Sequence, residues 1–483
     1  MSLIDSAADP APPQSTSPPK RPGWRAAILR LHFYAGLLVG PFILIAAISG
    51  GLYAAAPTVE RFVYSNELTA ATTGPAQPLT AQVAAAQASR PDLVVKGLRP
   101  AEEAGKTTRV LFTDPTLTDG RDLAVFVDPA SAQVQGALPV YGSVEALPIR
   151  FWIDRLHVDL HLGDVGRFYS ELAASWLWVV ALGGIYLWWR ARRGDARAML
   201  AYDRSRPGRG GAMNRHAVIG TWLLLSLLFF SATGLTWSKY AGDNIAQLRT
   251  ELSWTKPTLS TSLQPEAKSE GGGEHADHGG AAPAAAPVSP ELAAQTRARN
   301  IAALDRVVAA AADRGVGGAV QVSIPADPAV AMTVAQTRQP WRFGIDSATV
   351  NPETGQVVTV LAFASWPLMA KLTELLINTH MGWQFGLLNQ IVLVAFATLL
   401  SVLIVRGYAM WWQRRPRGGG LPRPPARESL RKVDPAQAIP AVLAVGFVGW
   451  FLPVLGISLL AFVLVDVAIG VAKRGTANLR NRP

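Results

Sequence analysis

Long apolar runs without a charged residue are the feature that most constrains the fold of this chain. A helix needs about 20 apolar residues to cross a bilayer, and four runs approach or exceed that length. They cover residues 31–59, 172–189, 217–238 and 375–405. A fifth apolar region, 435–472, contains one charged residue, Asp466, and is interrupted around Pro453. Because unpaired backbone groups are too costly in hydrocarbon, the four runs predict transmembrane helices and the fifth region predicts a transmembrane hairpin.

The composition supports a membrane protein and narrows the chemistry it can carry. Of 483 residues, 49% are hydrophobic and 16% are charged, whereas soluble domains have about 25% charged residues. The absence of cysteine excludes disulfides, iron–sulfur clusters, Cys-ligated zinc and thiol nucleophiles. Metal ligands must therefore come from carboxylates and the seven histidines.

Basic residues cluster beside the apolar runs and explain the net charge of +11. They precede the first run and fill residues 191–215, 413–435 and 473–483. Since cytoplasmic loops retain Lys and Arg, these segments are predicted to lie inside the cell and the long intervening segments outside. The positive charge is therefore explained by membrane topology and by contact with lipid headgroups, and it does not require nucleic acid as a partner.

The two outer segments predict small α+β domains. Residues 79–91 and 291–313 have helical patterns, and residues 124–136 and 347–359 each predict a strand, a Pro-containing turn and a second strand. The predicted organisation is 1–23, disordered cytoplasmic tail; 24–59, helix 1; 60–155, outer domain 1; 156–190, helix 2; 191–215, basic loop; 216–238, helix 3; 239–374, outer domain 2 with a Gly/Ala-rich linker at 268–290; 375–412, helix 4; 413–435, basic loop; 436–472, the hairpin of helices 5 and 6; and 473–483, cytoplasmic tail.

The halves of the chain also predict an internal duplication of a four-helix core. The first and third runs align without gaps, and the entry to the second run aligns with the entry to the fourth. The aligned pairs are His32 with His216, Gly36 with Gly220, Ser49 with Thr233, Gly50 with Gly234, His161 with His380 and Gly163 with Gly382. Both halves end in tryptophan pairs, at 188–189 and 411–412.

Four histidines at the ends of the runs are the main functional candidates, because titratable groups near a span are costly. His32 and His216 are predicted at the cytoplasmic ends, and His161 and His380 at the outer ends. Two imidazoles on facing helices can ligate haem iron from both sides, and neighbouring glycines would let the flat macrocycle approach the backbone. The lack of cysteine favours haem b, two per chain, held without thioether links.

Other readings of these histidines stay open. An interfacial histidine can snorkel or cap a helix. His157, one turn before His161, could ligate the same outer haem, contact a propionate or face solvent; His161 is preferred because it has the aligned partner. A His157–His161 zinc pair lacks a third ligand. His275 and His278 fall in the Gly-rich linker and are interpreted as solvated.

Several charged residues are weaker candidates. Arg150, Arg155, Arg167 and Lys371 lie near the outer histidines in sequence and could pair with haem propionates or an anionic ligand, or simply be solvated. Asp466 is interpreted as snorkelling to the inner surface, with a proton relay as the minor alternative.

The ordered motifs resemble the PepSY-associated transmembrane (PepSY-TM) family of bacterial inner-membrane proteins over residues 24–415. They are RLH at 30–32 with Gly36, LHLG at 160–163, RH at 215–216 with Gly220, THMG at 379–382, and the turns DPASAQV and NPETGQV. The resemblance implies a four-helix core with periplasmic PepSY domains. For members similar to ferric-siderophore reductases it implies two haems b, with His32 and His216 as inner ligands and His161 and His380 as outer ligands. The C-terminal hairpin departs from the shortest members.

The expected function is a transmembrane electron conduit, an oxidoreductase of the ferric reductase class. Electrons from the quinol pool or a cytoplasmic reductase would reach a periplasmic ferric siderophore and release ferrous iron for uptake. The alternative is a non-enzymatic PepSY-domain membrane protein that binds or regulates a periplasmic partner. A metal transporter is less attractive, because charged residues are scarce within the spans.

Overall fold

The computed structural model describes residues 24–263, 288–416, 420, 424–425 and 435–480, with the backbone alone for 473–480. The predicted N-terminal tail, most of the linker with His275 and His278, and most of the 413–435 loop lie outside the described residues.

Long apolar helices form the bundle that the hydropathy predicts. The first span is α1 (Arg25–Leu38) followed by α2 (Gly40–Val63), and the others are α6 (Gly163–Ala191), α8 (Gly208–Thr236), α13 (Gly386–Trp412), α14 (Pro435–Phe451) and α15 (Pro453–Arg480). Within the described residues, five helices are long and apolar enough to cross a membrane: Gly40–Val63, Gly163–Ala191, Gly208–Thr236, Gly386–Trp412 and Pro453–Ala472. The apolar helix α14 is shorter. The chain is thus a membrane protein by length and composition of its helices.

Small side chains allow the bundle helices to pack closely. A Cβ atom added to Gly51 of α2 would lie 3.0 Å from the Cβ atom of Ala397 of α13. Larger side chains, among them Ile43, Leu227 and Leu400, fill the centre of the bundle. Close helix contact through small residues is the usual basis of association in a membrane, where lipid is as apolar as leucine.

The helix predicted across 375–412 is two helices in the structure. Helix α12 (Leu368–His380) ends at the histidine and α13 begins at Gly386. Between them Gly382 has φ +85°, and Gly386 itself has φ +55°. Left-handed backbone stops the regular helical hydrogen bonds, so the uncharged run does not mark one continuous helix.

The second predicted span is interrupted in the same manner. Helix α5 (Pro148–Asp159) ends before Leu160 and His161, which have φ 56° and 57°. Helix α6 then starts at Gly163, with φ 57°. The predicted segment 156–190 therefore contains the last residues of α5, a tight turn and all of α6 except its final residue.

The segments between the spans form a sheet with helices packed on it. The strands are β1 (Val94–Arg99), β2 (Thr108–Thr113), β3 (Arg121–Val127), β4 (Val134–Tyr141), β5 (Val320–Ser323), β6 (Met332–Gln336), β7 (Ser347–Val350) and β8 (Val357–Leu361). The remaining helices are α3 (Ser65–Leu68), α4 (Leu79–Ser89), α7 (Ala196–Leu200), α9 (Tyr240–Glu251), α10 (Pro290–Ala302) and α11 (Leu304–Ala312), and a 3-10 turn spans Phe363–Ser365.

The two predicted outer domains share one antiparallel sheet. Its order is β4-β3-β2-β1-β5-β6-β7-β8, and β1 pairs with β5 through Gly97 opposite Ser323 and Leu98 opposite Val322. A Cβ atom at Gly97 would lie 2.6 Å from the Val322 carbonyl oxygen, so this approach requires glycine. Helices α4 and α11 cover a common core that includes Leu98 and Leu304. The two domains expected to be separate are thus one structural unit.

The C-terminal helices pack against the bundle. Gly456 lies so close to Gly449 that an added Cβ atom would be 2.3 Å from the Gly449 carbonyl oxygen. Trp176 of α6 donates a hydrogen bond from Nε1 to Ser458 Oγ of α15 at 2.9 Å. At the far end Asp466 forms an ion pair with Arg30 of α1. The interpretation of Asp466 as a snorkelling residue did not anticipate this pair.

Candidate functional site

His32 of α1 and His216 of α8 face each other at the end of the bundle away from the sheet. Their ring centroids are 6.5 Å apart and the ring planes are inclined at 80°. A metal ion bound about 2 Å from a nitrogen of each ring would hold the centroids about 6 Å apart. The observed spacing therefore suits two axial ligands of one metal ion.

A backbone carbonyl sets the proton position on His32. Nδ1 of His32 lies 3.0 Å from the Val180 carbonyl oxygen of α6. Because a carbonyl only accepts, Nδ1 donates and the neutral ring keeps its lone pair on Nε2. The His216 ring lies against the backbone of Leu403 in α13, so each inner histidine contacts a neighbouring span.

Glycines leave room around the inner pair. A Cβ atom at Gly184 would lie 2.9 Å from Cε1 of His32, and one at Gly407 would lie 3.7 Å from Cε1 of His216. A Cβ atom at Gly36 would meet nothing within 4 Å, and one at Gly220 would meet only Leu403, at 4.0 Å. The glycines at 184 and 407 therefore let the two rings lie close to the backbones of α6 and α13.

His157 and His380 line a single cavity of about 500 Å³ at the sheet end of the bundle. Pockets that hold small ligands and cofactors have volumes of about 300–1,000 Å³. Helices α2, α5, α6, α8 and α13 contribute to its wall, and the apolar part includes Phe230 and Phe396. The cavity is thus large enough for a bound group between the two histidines.

Hydroxyl groups fix the proton positions on this outer pair. Ser49 Oγ lies 3.0 Å from Nδ1 of His157, and Thr233 Oγ1 lies 2.6 Å from Nδ1 of His380. Each hydroxyl also donates to the carbonyl four residues earlier in its own helix, at 2.8 Å and 2.7 Å. A hydroxyl has one proton, so each must accept from the imidazole. Both rings therefore hold their proton on Nδ1 and leave the Nε2 lone pair for a ligand bond.

The structure brings His157, and not His161, together with His380. His161 has left-handed backbone, and its ring stacks on Trp152 at a centroid distance of 5.1 Å. It is absent from the cavity wall, because the chain has already left α5 at Asp159. The preference for His161 over His157 thus rested on a sequence match that the tertiary structure does not reproduce.

The sequence contains a signal that favours His157. Trp411 follows Trp188 by 223 positions, and His380 follows His157 by the same 223. The match of LHLG with THMG has an offset of 219 and pairs His161 with His380. The two alignments therefore assign different partners to His380. In the structure, Gly184 contacts His32 and Gly407 contacts His216, and these two glycines are also 223 positions apart.

Charged residues line the part of the cavity nearest the sheet. Arg155, Arg167 and Lys239 are in its wall. Arg155 pairs with Asp159, Lys239 Nζ lies 3.0 Å from Asp164 Oδ2, and Arg167 donates to the Trp237 carbonyl at 2.7 Å. These groups give the cavity cationic donors, and Asp154, Asp164 and Asp243 place acidic groups in the same wall.

Two other basic candidates occupy different places. Arg150 is buried outside the cavity wall, where it pairs with Glu60 at 3.0 Å and stacks over the Trp383 ring at 4.9 Å. It thereby links α2 and α5 to the turn that follows His380. Lys371 donates to the Ala364 carbonyl and is not in the wall.

Asp154 is a cavity residue that the sequence did not indicate. Burial raises the pKa of its carboxyl to about 6, although Arg155 opposes the shift. The opposition is limited because Arg155 is already paired with Asp159, whose own charge raises the pKa of Asp154 further. A proton can therefore be held at the cavity wall in mildly acidic solution.

The two histidine pairs lie at opposite ends of the bundle. His216 and Thr233, which contacts His380, are 17 positions apart on the continuous helix α8, a rise of about 25 Å. Apolar side chains such as Leu223 and Leu227 fill the bundle between them. The arrangement places one candidate centre near each end of the helices.

The donor set suits haem iron better than a bare metal ion. Among the residues that the structure describes, no group of three or more His, Cys, Asp or Glu side chains could hold a metal. Two imidazoles are sufficient axial ligands for haem iron, since the macrocycle supplies the others. Each pair supplies two imidazoles, which is enough for a haem iron but fewer protein ligands than a structural zinc site needs.

Comparison with known protein families identifies a match. The family model described as "PepSY-associated TM region" matches residues 29–414, which include all four spans of the core and the whole sheet. No curated protein matches the chain.

Proposed function

Because the chain belongs to the family of the PepSY-associated TM region, we propose that it is a di-haem b oxidoreductase that reduces a ferric siderophore. The proposal rests on one observation: two pairs of imidazoles lie at opposite ends of one helix bundle. In three of the four rings a hydrogen bond at Nδ1 leaves Nε2 available.

His32 and His216 would hold the inner haem, and His157 and His380 the outer haem. The assignment of His157 in place of His161 is supported by its position in the cavity wall. Haem b at these positions would supply one-electron transfer at each end of the bundle. The chain would contribute the axial ligands, their tautomers and an apolar surrounding.

An internal duplication explains why the contacts recur. Ser49 and Thr233 are aligned in the first and third spans, and each holds the histidine that completes its half of the outer site. An offset of 223 between the second and fourth spans relates His157 to His380 and Gly163 to Gly386, which have φ 57° and 55°. Each half would thus provide one ligand to each haem.

Electrons would pass from the inner to the outer side of a bacterial inner membrane. The basic segments at 191–215 and 413–435 favour a cytoplasmic location for the inner pair, which makes the sheet periplasmic. The primary donor would be quinol or a cytoplasmic reductase.

The acceptor would be an anionic ferric chelate that binds at the mouth of the outer cavity, outside the space between His157 and His380. Arg155, Arg167 and Lys239 line the cavity wall together with Asp154, Asp164 and Asp243, and the cationic groups would donate hydrogen bonds to haem propionates or to anionic groups of the chelate. A siderophore's oxygen ligands bind ferrous iron far less tightly than ferric iron, so one-electron reduction would release the metal.

The test is the cofactor content of the purified protein, expressed with ample haem supply. We expect about two b-type haems per chain in the pyridine haemochromogen assay, and dithionite-reduced protein in nanodiscs should convert a ferric hydroxamate to ferrous iron captured by a chromogenic chelator. The matched control is the double variant His32→Ala/His157→Ala, which removes one ligand from each pair. A haem-free native protein would overturn the proposal in favour of a PepSY-domain protein that binds a partner. A protein that contains haem but does not reduce the ferric hydroxamate would contradict the proposed substrate.

A further inference from the structure

A short loop of the sheet domain presents aromatic side chains outward. It covers residues 339–345, between β6 and β7. Trp341 is 59% exposed and Phe343 is 56% exposed, whereas Arg342, between them, turns back and donates to the Thr337 carbonyl. The loop therefore places two large apolar side chains on one face and its charge on the other.

The exposed face of the loop is continuous with the apolar surface of the fourth span. Both Trp341 and Phe343 contact the ring of Phe385, at centroid distances of 5.2 Å and 6.2 Å. Phe385 precedes α13, whose first apolar residues, Leu387 and Leu388, are each 57% exposed. Since α13 is apolar enough to cross a membrane, the loop lies at the level where that helix enters it.

Buried hydrogen bonds hold the loop in this position. Trp341 donates its backbone N–H to the Gln384 carbonyl at 2.7 Å, and the Gln384 side chain donates to the Arg342 carbonyl at 3.1 Å. Gln384 is 2% exposed. Trp341 has φ 65°, a conformation that is strained for a bulky residue and persists only where the surroundings impose it.

Helix α12 carries a second exposed apolar stripe beside the same turn. Leu368, Leu372 and Leu376 recur every four residues, so they lie on one helix face, and they are 69%, 38% and 42% exposed. The opposite face of α12 is held beside the loop, because Glu374 forms an ion pair at 2.7 Å with Arg338, which directly precedes the loop. An amphipathic helix with exposed leucines suits the interfacial plane of a bilayer.

We propose that the 339–345 loop and the leucine stripe of α12 lie in the lipid headgroup region and anchor the sheet domain to the membrane. The ligand is the bilayer itself. Tryptophan is favoured at this depth because its ring is apolar and its N–H is polar. The anchor holds the 381–385 turn, and with it the position of His380, at a fixed depth.

The absence of cysteine makes site-directed spin labelling a direct test. Single variants Trp341→Cys and Phe343→Cys of the full chain are labelled with a nitroxide and placed in phosphatidylcholine nanodiscs. Collision rates with dissolved oxygen, which prefers lipid, and with a water-soluble nickel chelate are then measured. Leu388→Cys serves as the lipid-facing control, and Val358→Cys, 44% exposed on the edge strand β8, as the water-facing control.

We expect the oxygen-to-nickel ratio at positions 341 and 343 to approach that at 388 and to be several-fold higher than that at 358. A ratio like that at 358 would overturn the proposal. Protection from both probes would also overturn it, because a protein partner or a second copy would then cover the loop. If Trp341→Cys does not fold, as judged by gel filtration, Phe343→Cys decides the test.

Discussion

Thr233 of α8 accepts a hydrogen bond from Nδ1 of His380 at 2.6 Å while it donates its own proton within its helix. This double role fixes both the orientation and the tautomer of a buried imidazole whose helix has just ended. Ser49 does the same for His157 on the opposite side of the cavity. Two hydroxyl groups of the spans therefore orient the outer pair of histidines, which come from helices that end beside them.

The histidine assignment predicts different results for two residues one helical turn apart. His157→Ala should lower the haem content from about two to about one per chain, since it removes an axial ligand. His161→Ala should leave it unchanged, because the His161 ring stacks on Trp152 outside the cavity. The pyridine haemochromogen assay measures both variants. The reverse result, with loss in His161→Ala alone, would return the outer ligand to His161.

Removal of the Thr233 hydroxyl should weaken the outer site without removing a ligand. Thr233→Val keeps the shape but leaves Nδ1 of His380 without its acceptor, and loss of such a partner typically lowers metal affinity about 10–100-fold. We expect an altered low-spin electron paramagnetic resonance signal from one haem and faster haem loss. The control is Thr236→Val, because Thr236 bonds only to the Thr233 carbonyl among the contacts described. Equal behaviour of the two variants would contradict a role for the hydroxyl.

The junction between β1 and β5 predicts a steric penalty at one glycine. Gly97→Ala would place a Cβ atom 2.6 Å from the Val322 carbonyl oxygen, and overpacking of this kind costs about 1–3 kcal/mol. We expect a lower thermal midpoint and faster proteolysis of the sheet domain. Gly446→Ala on α14, where an added Cβ atom meets nothing within 4 Å, is the control. An unchanged midpoint for Gly97→Ala would show that the two halves of the sheet are not closely paired.

The raised pKa of Asp154 predicts a pH-dependent stability. Its carboxyl has a pKa of about 6 in the folded protein and about 3.9 in the unfolded chain, so the folded state binds the proton more tightly. Stability should therefore fall as the pH rises from about 4 to about 6 and then level off. Asp154→Asn, which mimics the neutral form, should match the native protein near pH 4 and exceed it by about 3 kcal/mol well above pH 6.

Thermal unfolding across this pH range checks the prediction. Asp119→Asn, a substitution at an exposed position in the turn between β2 and β3, provides the control. A constant difference between Asp154→Asn and the native protein would contradict the assignment of the proton to Asp154.

We expect the ion pair of Arg30 with Asp466 to hold the C-terminal helices against the bundle. Arg30 is buried, and breaking a buried pair from one side costs about 3–5 kcal/mol. Asp466→Ala should lower the thermal midpoint and expose the α15 helix to proteolysis. Glu103→Ala, which removes an exposed partner of Lys106 at 4.0 Å, should have little effect. Similar midpoints for the two variants would show that the hairpin is held by its apolar contacts alone.

The sequence by itself determined the properties that depend on composition and spacing. Uncharged runs located the bundle helices, because hydrocarbon excludes charge and unpaired backbone. The ordered motifs identified the family, which the match over residues 29–414 confirms. The aligned histidines located the candidate ligand pairs to within one helical turn.

The tertiary structure decided which histidine faces the cavity, where the spans break and how the two domains join. An apolar run shows no sign of a left-handed turn inside it, so the breaks before Gly163 and Gly386 could not be read from hydropathy. A β1–β5 pairing across more than 200 residues depends on backbone contacts that local patterns do not encode. His157 and His161 differ in position for the same reason. Residues four positions apart on a helix share a face, but α5 ends at Asp159, so only His157 lies on the face that lines the cavity.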